Sequence, residues 1–430
     1  MTPQRILTGI TPSGTPHLGN YAGAIRPAVE ASQRPSVESF YFLSDYHALI
    51  KTDNPERVQR STLEIAATWL ASGLRPERVW FYRQSDIPEI TELTWLLTCV
   101  TGKGLLNRAH AYKAAVDKNI AESEEPDAGV TMGLFMYPVL MAADILMFNA
   151  HKVPVGRDQV QHLEMARDIA ASFNHRYGGE YFVLPEAAVD DSVATLPGLD
   201  GRKMSKSYDN IIPLFAPPDM LKKLVFAIIT DSKAPGEPKQ TEGSALFQLF
   251  QAFATPTETE AMRRRFAEGI SWGDAKEALF HKLESVIAPM RARYEELIGE
   301  PARIEQVLKS GAAALRAKHA IPFIARLREA AGLRPLDRIP ATSTDSRAKA
   351  KLKAKPQFKQ YREADGLFYF KLVGSDGSLL LQSQGFASAR EAGQAVAGIK
   401  NGESFGQWGE LAPGASDADI RQAIDALLAD

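Results

Sequence analysis

The sequence has 430 residues, too many for one hydrophobic core, and its length suggests about three domains. Lys and Arg number 50 against 52 Asp and Glu, so a polyanionic partner must be met by local basic patches, because a net charge of -2 gives no attracting field. A single cysteine, Cys99, excludes an internal disulfide framework, a four-cysteine zinc site and a cysteine-held iron–sulfur cluster, and fits a reducing cytoplasm.

In chain order, "MTPQRILTGI" turns to Pro and Gly before the apolar stretch of a signal peptide can form, so a cytoplasmic protein is expected. "RILTGI" (5–10) predicts a first strand, and "YAGAIRPAVEAS" a helix soon after. "SFYFLSDYHALI" (39–50) predicts a second strand. A helix over 55–73 follows, ended by Gly73, then a third strand over 78–85. "GLFMYPVLMAADILMF" (133–148) is one apolar element holding a single charge, Asp144. Interrupted by that charge and by Pro138, it is too short for a membrane span. "KVPVG" (152–156) predicts a later strand. This alternation predicts an α/β fold with a doubly wound parallel sheet over residues 1–215.

From 216 to 335 the pattern becomes helical throughout, as in "SALFQLFQAFA" and "AKEALFHKLESVIAPMRARYEELI", which predicts an all-α domain. Residues 336–362 predict a basic linker. Arg347, Lys349, Lys351, Lys353, Lys355 and Lys359 follow one another without an acid, as either a solvated connector or a phosphate-binding tether. Residues 363–430 predict a small α+β module, with a hairpin about "GSDGS" and a helix ending at Gly402. No task is assigned to that module.

Two segments suit phosphate. "GITPSGTPHLGNY" (9–21) is a glycine-rich turn between strand and helix, where unpaired N–H groups and the positive helix end attract anions; His17 and Asn20 add side-chain donors. "GRKMSKS" (201–207) places Lys203 and Lys206 with Ser205 and Ser207 on a loop rich in glycine, a composition suited to a triphosphate whose charge shifts during reaction. Neither segment is decisive alone, since glycine turns and lysine-bearing loops are common on surfaces. No His, Asp or Glu cluster has metal-ligand spacing.

Together, His17-Leu18-Gly19-Asn20 and Lys203-Met204-Ser205-Lys206-Ser207 resemble the paired signatures of class I aminoacyl-tRNA synthetases. With "MYPVLMAADILMF" and "VPVGRDQVQHLEMARDIA" between them, residues 1–335 resemble the bacterial-type tryptophanyl-tRNA synthetases. The sequence departs from the wider class at Asn20, where many members carry a second His, and at Arg157, where many relatives carry Glu. The resemblance implies a two-step reaction. Tryptophan and ATP, with Mg²⁺, form an adenylate and pyrophosphate, and the adenylate then esterifies tRNA(Trp). It implies that Thr11, Pro12, Ser13, Gly19 and Asn20 line the ATP site with the lysine loop (Lys203, Met204, Ser205, Lys206, Ser207). Gly156, Arg157 and Asp158 would lie at the ribose, Ala194 at adenine and Lys113 at the phosphates. His17, Asn20, Lys203 and Lys206 would carry catalysis. The resemblance also implies a homodimer, and anticodon recognition by the helical domain, with Arg263, Arg264, Arg265, Arg291 and Arg293 as candidates.

The resemblance also gives Asp144 a role. Indole has one polar atom, a donor, and a buried carboxylate would pair with it, whereas Phe, Tyr and Leu offer no such donor there. A site built this way rejects analogues by ~10⁴–10⁵-fold, because its own polar group is left unpaired. Met141, one turn earlier, would pack on the ring, where tyrosine-specific relatives tend to carry Gln. Tyr137, Gln159 and His47 would complete the amino-acid site. Taken alone, Asp144 reads first as a structural carboxylate held by backbone or an Arg; the aligned motifs around it favour the ligand role. Three other functions fit parts of the chain: a tyrosine enzyme, a non-catalytic RNA-binding paralogue, and a small nucleotidylyltransferase sharing the His-x-Gly turn.

Overall fold

The structure, a computed structural model, describes residues 3–12, 15–50, 52, 54–188, 196–336, 355–363 and 365–428, without the side chain of residue 158. Packing divides the chain into two compact units, Met1–Arg334 and Pro335–Asp430.

The first unit begins with β1 (Gln4–Ile10), then α1 (Leu18–Asn20), a π-helical turn (Tyr21–Ile25) and α2 (Arg26–Ser32). Next come β2 (Val37–Leu43), α3 (Asp45–Ala48), α4 (Pro55–Ala71), β3 (Trp80–Arg83) and α5 (Pro88–Thr98). They lead to α6 (Lys103–Leu106), α7 (His110–Ala121), α8 (Met132–Met147), β4 (Lys152–Pro154), α9 (Val160–Tyr177) and β5 (Glu186–Ala188). The strands form one five-stranded sheet in the order β3-β2-β1-β4-β5, and every pair is parallel. β2 shows why the sheet is covered on both faces. Its side chains alternate between two cores: Tyr41 and Leu43 enter one with Trp69, and Phe40 and Phe42 enter the other with Tyr82 and Phe148. β1 pairs with β2 on one side and β4 on the other, so the strand order reverses between β1 and β4. The carboxyl ends of these strands open there, which is where sheets of this kind bind ligands.

The second predicted strand, 39–50, is shorter than expected: it ends at Leu43, and Asp45–Ala48 is helical. The backbone leaves the ladder because the Tyr46 N–H donates to the Gln84 side chain, while Asp45 accepts from the Ser85 N–H.

The helical region contains α10 (Pro218–Ala227), α11 (Ala245–Phe253), α12 (Pro256–Ala267), α13 (Trp272–Gly299), α14 (Pro301–Leu315) and α15 (Ile321–Ala330). It packs on the sheet domain as part of the same compact unit. Bidentate pairs Arg83–Glu305 and Arg316–Glu89 join the two parts, and Arg328 pairs with Glu92. The closest approach is at Gly311 of α14, where an added Cβ would sit 2.1 Å from the Phe81 carbonyl oxygen of β3. Because backbone cannot move aside as a side chain can, Gly311→Ala is expected to destabilise the protein by about 2 kcal/mol or more. Gly299→Ala, whose new methyl meets nothing, is expected to leave thermal unfolding unchanged or raise its midpoint slightly. Equal unfolding midpoints for the two variants contradict this packing.

The second unit is a four-stranded antiparallel sheet in the order β6-β7-β8-β9: β6 (Gln357–Arg362), β7 (Phe368–Val373), β8 (Leu379–Ser383) and β9 (Gly409–Leu411). With α16 (Ala389–Lys400) and α17 (Asp417–Leu428) it buries Phe370, Leu372, Leu381, Ile399 and Ile420 in one core. Residues 357–362, expected in the linker, are its first strand, because Phe358 packs on Phe370. The rest of the expected linker, 337–354, lies outside the described residues.

Candidate active site

The histidine turn and the lysine loop meet. The Leu18 N–H donates to the Ile212 carbonyl (3.0 Å) and the Leu214 N–H to the Pro16 carbonyl (3.0 Å), so His17 is bridged to Pro213, just past the loop. Met204 is buried with Leu18 in one core, and a Cβ on Gly19 would come 3.7 Å from the Met204 Cβ and 3.1 Å from the His17 ring. Gly19 therefore keeps this seam close.

His17 caps α1. Its Nδ1 accepts the Asn20 N–H (3.3 Å), and the Asn20 carboxamide oxygen accepts the His17 N–H (3.1 Å). With Nδ1 accepting, the neutral ring carries its proton on Nε2, where it can donate to a phosphate oxygen. Burial, and then the Lys206 charge, lower the His17 pKa to about 4. A depressed value stabilises the fold fully above the unfolded pKa of 6.5, and that contribution is lost as pH falls through about 4. The His17 ring resonance is expected to titrate near pH 4, and to shift upward in Lys206→Ala. An unchanged midpoint in that variant would mean that the two groups are not neighbours.

A buried residue that carries no motif of its own holds the lysine loop. The Asn210 side-chain oxygen accepts the Ser205 N–H (2.8 Å), and its amide donates to Asp200 (2.6 Å) and to the Lys203 carbonyl (3.1 Å). Gly198 permits this, since a Cβ there would lie 2.4 Å from Asn210. Ser205 caps the turn at Lys206–Tyr208 by accepting the Ser207 N–H. Lys203 and Lys206 are exposed. Partial desolvation and the Arg57 charge pull Lys206 below its usual value, against the attraction of Glu64.

Asp144 lies in α8 and is 1% exposed. Its partners are neither backbone nor Arg. Gln84 donates to Oδ1 (2.8 Å) and Oδ2 (2.9 Å), and His47 Nε2 lies 2.9 Å from Oδ2. Burial raises the Asp144 pKa, and His47 and Gln84 oppose that rise. A carboxylate has about four acceptor positions, so these three contacts leave one. Tyr137, two turns earlier in α8, places its hydroxyl 2.6 Å from His162 Nε2 and its ring edge against His47. Met141 is half-buried against the core between them. This cluster adjoins the turn after β1 through the residue next to Asp45: the Ser44 N–H donates to the Ile10 carbonyl (3.0 Å) and the Ser44 hydroxyl to Thr11 (3.1 Å).

Gly156 and the short helix Arg157–Gln159 follow β4, on the other side of the strand-order reversal, and His162 comes one turn later. Lys113 is on an exposed face of α7. Ser13, Ala194 and the Asp158 side chain lie outside the described residues. Gln84, His162 and Asn210 went unmarked in the sequence; only the position of Gln84, just past β3, hinted at a site residue. A cavity of about 370 Å³ touches Tyr137, and one of about 1100 Å³, lined by Arg60, Arg83 and Glu305, touches none of the expected site residues. Of the arginines expected to meet RNA, Arg291 is buried and holds Glu284 in a bidentate pair, so its role is structural. Arg264, Arg265 and Arg293 are exposed.

Residues 1–288 match the family described as tRNA synthetases class I (W and Y). A tryptophan–tRNA ligase of Xanthomonas campestris pv. campestris is 68% identical over 393 residues, 91% of each chain. One from Pseudomonas aeruginosa is 59% identical over 435 residues, 97% of this chain and 96% of its own. The crystal structure of tryptophanyl-tRNA synthetase from Campylobacter jejuni, complexed with ADP and tryptophan, is similar at 40% identity and a TM-score of 0.70, covering 76% of this chain and all of that one. With the two signature segments joined by backbone hydrogen bonds and relatives this similar over nearly the whole length, the chain belongs to the bacterial tryptophanyl-tRNA synthetases, in the tryptophan and tyrosine branch of class I.

Proposed function

We propose that the protein ligates L-tryptophan to tRNA(Trp) through a tryptophanyl-adenylate, with Mg²⁺-bound ATP as co-substrate. The observation that carries this reading is the seam between the His17 turn and the Lys206 loop, set beside the buried Asp144 cluster. The tryptophan carboxylate is ionised, so it attacks the α-phosphorus without a general base, and the bond to the pyrophosphate oxygen breaks in line. The work is alignment and charge stabilisation. His17 Nε2–H, the turn's N–H groups, Lys203 and Lys206 meet phosphate oxygens, while Asn20 holds the His17 ring. Thr11 and the Gly156–Asp158 turn flank the nucleotide. Asp144 accepts the indole N–H, Met141 packs on the ring, and Tyr137, Gln159 and His47 border the amino acid. The adenylate then passes to a terminal ribose hydroxyl of tRNA, releasing AMP.

The helical region 216–335 meets the anticodon through exposed arginines such as Arg264, Arg265 and Arg293. The enzyme acts in the cytoplasm as a homodimer, and no described helix is long and apolar enough to cross a membrane. The exposed Leu49 and Met132, beside a groove lined by Ile50, Met136 and Leu140, give a second copy an apolar face to cover; a monomer mass in sedimentation contradicts it. The test of the activity is aminoacylation of a tRNA(Trp) transcript. Tryptophan esterified in an ATP-dependent reaction supports the reading, and charging of tRNA(Tyr) with tyrosine overturns it.

A further inference from the structure

Among the described residues of this unit, helices pack on one face of the C-terminal sheet. In β7, Phe370 and Leu372 are buried against α16, so Tyr369 and Lys371 point to the opposite face. Strand register carries that face across the sheet. Tyr361 is opposite Tyr369, Lys359 is opposite Lys371, Gln382 follows Lys371, and Glu410 follows Gln382. Cross-strand partners share a face, so the open side presents a tyrosine pair next to a row that begins with two lysines.

Three features of this face point to a ligand. The Tyr361 and Tyr369 rings are stacked, 5.9 Å apart and 22° from parallel. Both hydroxyls are tied down: Tyr361 accepts from Gln382 (2.6 Å) and Tyr369 donates to Asp365 (2.6 Å), which fixes the orientation of the ring pair. Lys359 and Lys371 stand directly opposite each other, an arrangement that costs stability unless an anion joins them. Lys371 Nζ lies 5.2 Å from the Tyr361 ring centre, so positive charge borders the ring pair itself. Glu410, two strands from Lys371, is the acid of this row. The sequence entering β6 is basic and acid-free from Ser346 to Arg362.

A fixed pair of aromatic rings on a sheet face, flanked by ammonium groups, matches the chemistry of unpaired nucleotides: a base extends the stack of rings and phosphates meet the lysines. We propose that the open face of the C-terminal sheet, built on Tyr361, Tyr369, Lys359 and Lys371, binds a single-stranded segment of RNA. It rests on the reading above in taking the tRNA substrate as that RNA. Duplex RNA, whose bases are already stacked, gains nothing from the ring pair.

The test uses the full chain and a fluorescent short single-stranded RNA, the same RNA as a duplex, and a polyglutamate of equal charge. Single-stranded RNA is expected to bind best. Tyr361→Ala with Tyr369→Ala weakens it by about tenfold, whereas Tyr361→Phe with Tyr369→Phe retains it. Lys359→Ala with Lys371→Ala makes binding less salt-dependent. The tyrosine-to-alanine variant also raises KM for tRNA in aminoacylation and leaves tryptophan-dependent ATP–pyrophosphate exchange unchanged. In the unmodified protein, thiouridine-substituted RNA crosslinks to the peptide holding β6 and β7. Unchanged affinity in the alanine variant, equal binding of duplex or polyglutamate, or crosslinks confined to other peptides overturn the proposal. Absence of exchange in the unmodified protein would instead overturn the synthetase reading, and the RNA-binding result would still stand.

Discussion

Asp144→Ala is expected to lower kcat/KM for tryptophan by roughly 10³-fold while changing the KM for ATP by less than about twofold. Truncating one partner of a buried, hydrogen-bonded charged pair at a binding site costs about 2–5 kcal/mol of binding, because the donor left behind is neither paired nor hydrated. About 4 kcal/mol corresponds to that factor of a thousand. The effect is expected to fall on tryptophan because Asp144 is held among His47, Gln84 and Tyr137, whereas the proposed ATP contacts are in the turn after β1, which Ser44 joins through Thr11. Asp144→Asn separates charge from shape: it keeps one acceptor for Gln84 and is expected to lose less. Steady-state pyrophosphate exchange, with each substrate varied in turn, checks this. Equal losses for tryptophan and ATP would show that Asp144 only supports the fold.

Lys206→Ala is expected to lower kcat for adenylate formation by ~10²–10³, the usual effect of removing one preorganised charge from a site where charge develops. The KM for tryptophan is expected to stay within about twofold, because in the proposed mechanism the ammonium acts on the departing pyrophosphate and contributes most in the transition state. Its position depends on the latch formed by Asn210 and on the backbone pairing of Pro16–Leu18 with Ile212–Leu214. Lys206→Arg keeps the charge but changes its reach, and is expected to recover only part of the rate. Single-turnover formation of the adenylate reads this step directly. A raised KM with an unchanged kcat would mean that Lys206 merely binds ATP.

The parts of the site that were legible in the sequence are those with local spacing. His17 and Asn20 form their own capping box, and Lys203 and Lys206 share one short loop, so a few adjacent letters specify each group. Asp144 stood out because it is a lone charge in an apolar helix, and its burial bears that out. Its partners were less legible. Gln84 reaches Asp144 across 60 positions, and His162 reaches Tyr137 across 25, distances over which no periodic pattern links two polar residues. Asn210 is similar: it stands close to the loop, but its work is done by accepting and donating to backbone, which any Asn could do.

The same holds for the fold. β1 and the apolar part of β2 were clear, because a strand buried on both faces reads as an unbroken apolar run. Residues 45–48 read as more strand because Tyr, His and Ala continue that run, yet side-chain hydrogen bonds from Asp45 and Gln84 turn the backbone away. Within the predicted all-α region, α12 carries the weakest apolar signal: it is polar along most of its length, and its start is marked by Pro256 and the Thr255–Glu258 capping box. β6 was read as linker because its lysines hid the alternation that puts Phe358 in the core.

In the proposed enzyme, the His17 turn, the Lys206 loop and the Asp144 cluster form one site that activates tryptophan. ATP–pyrophosphate exchange run separately with each of the twenty amino acids tests it most directly. Exchange is expected with tryptophan, and with tyrosine at a rate lower by several orders of magnitude. Exchange as fast with tyrosine, or none with any amino acid, contradicts it.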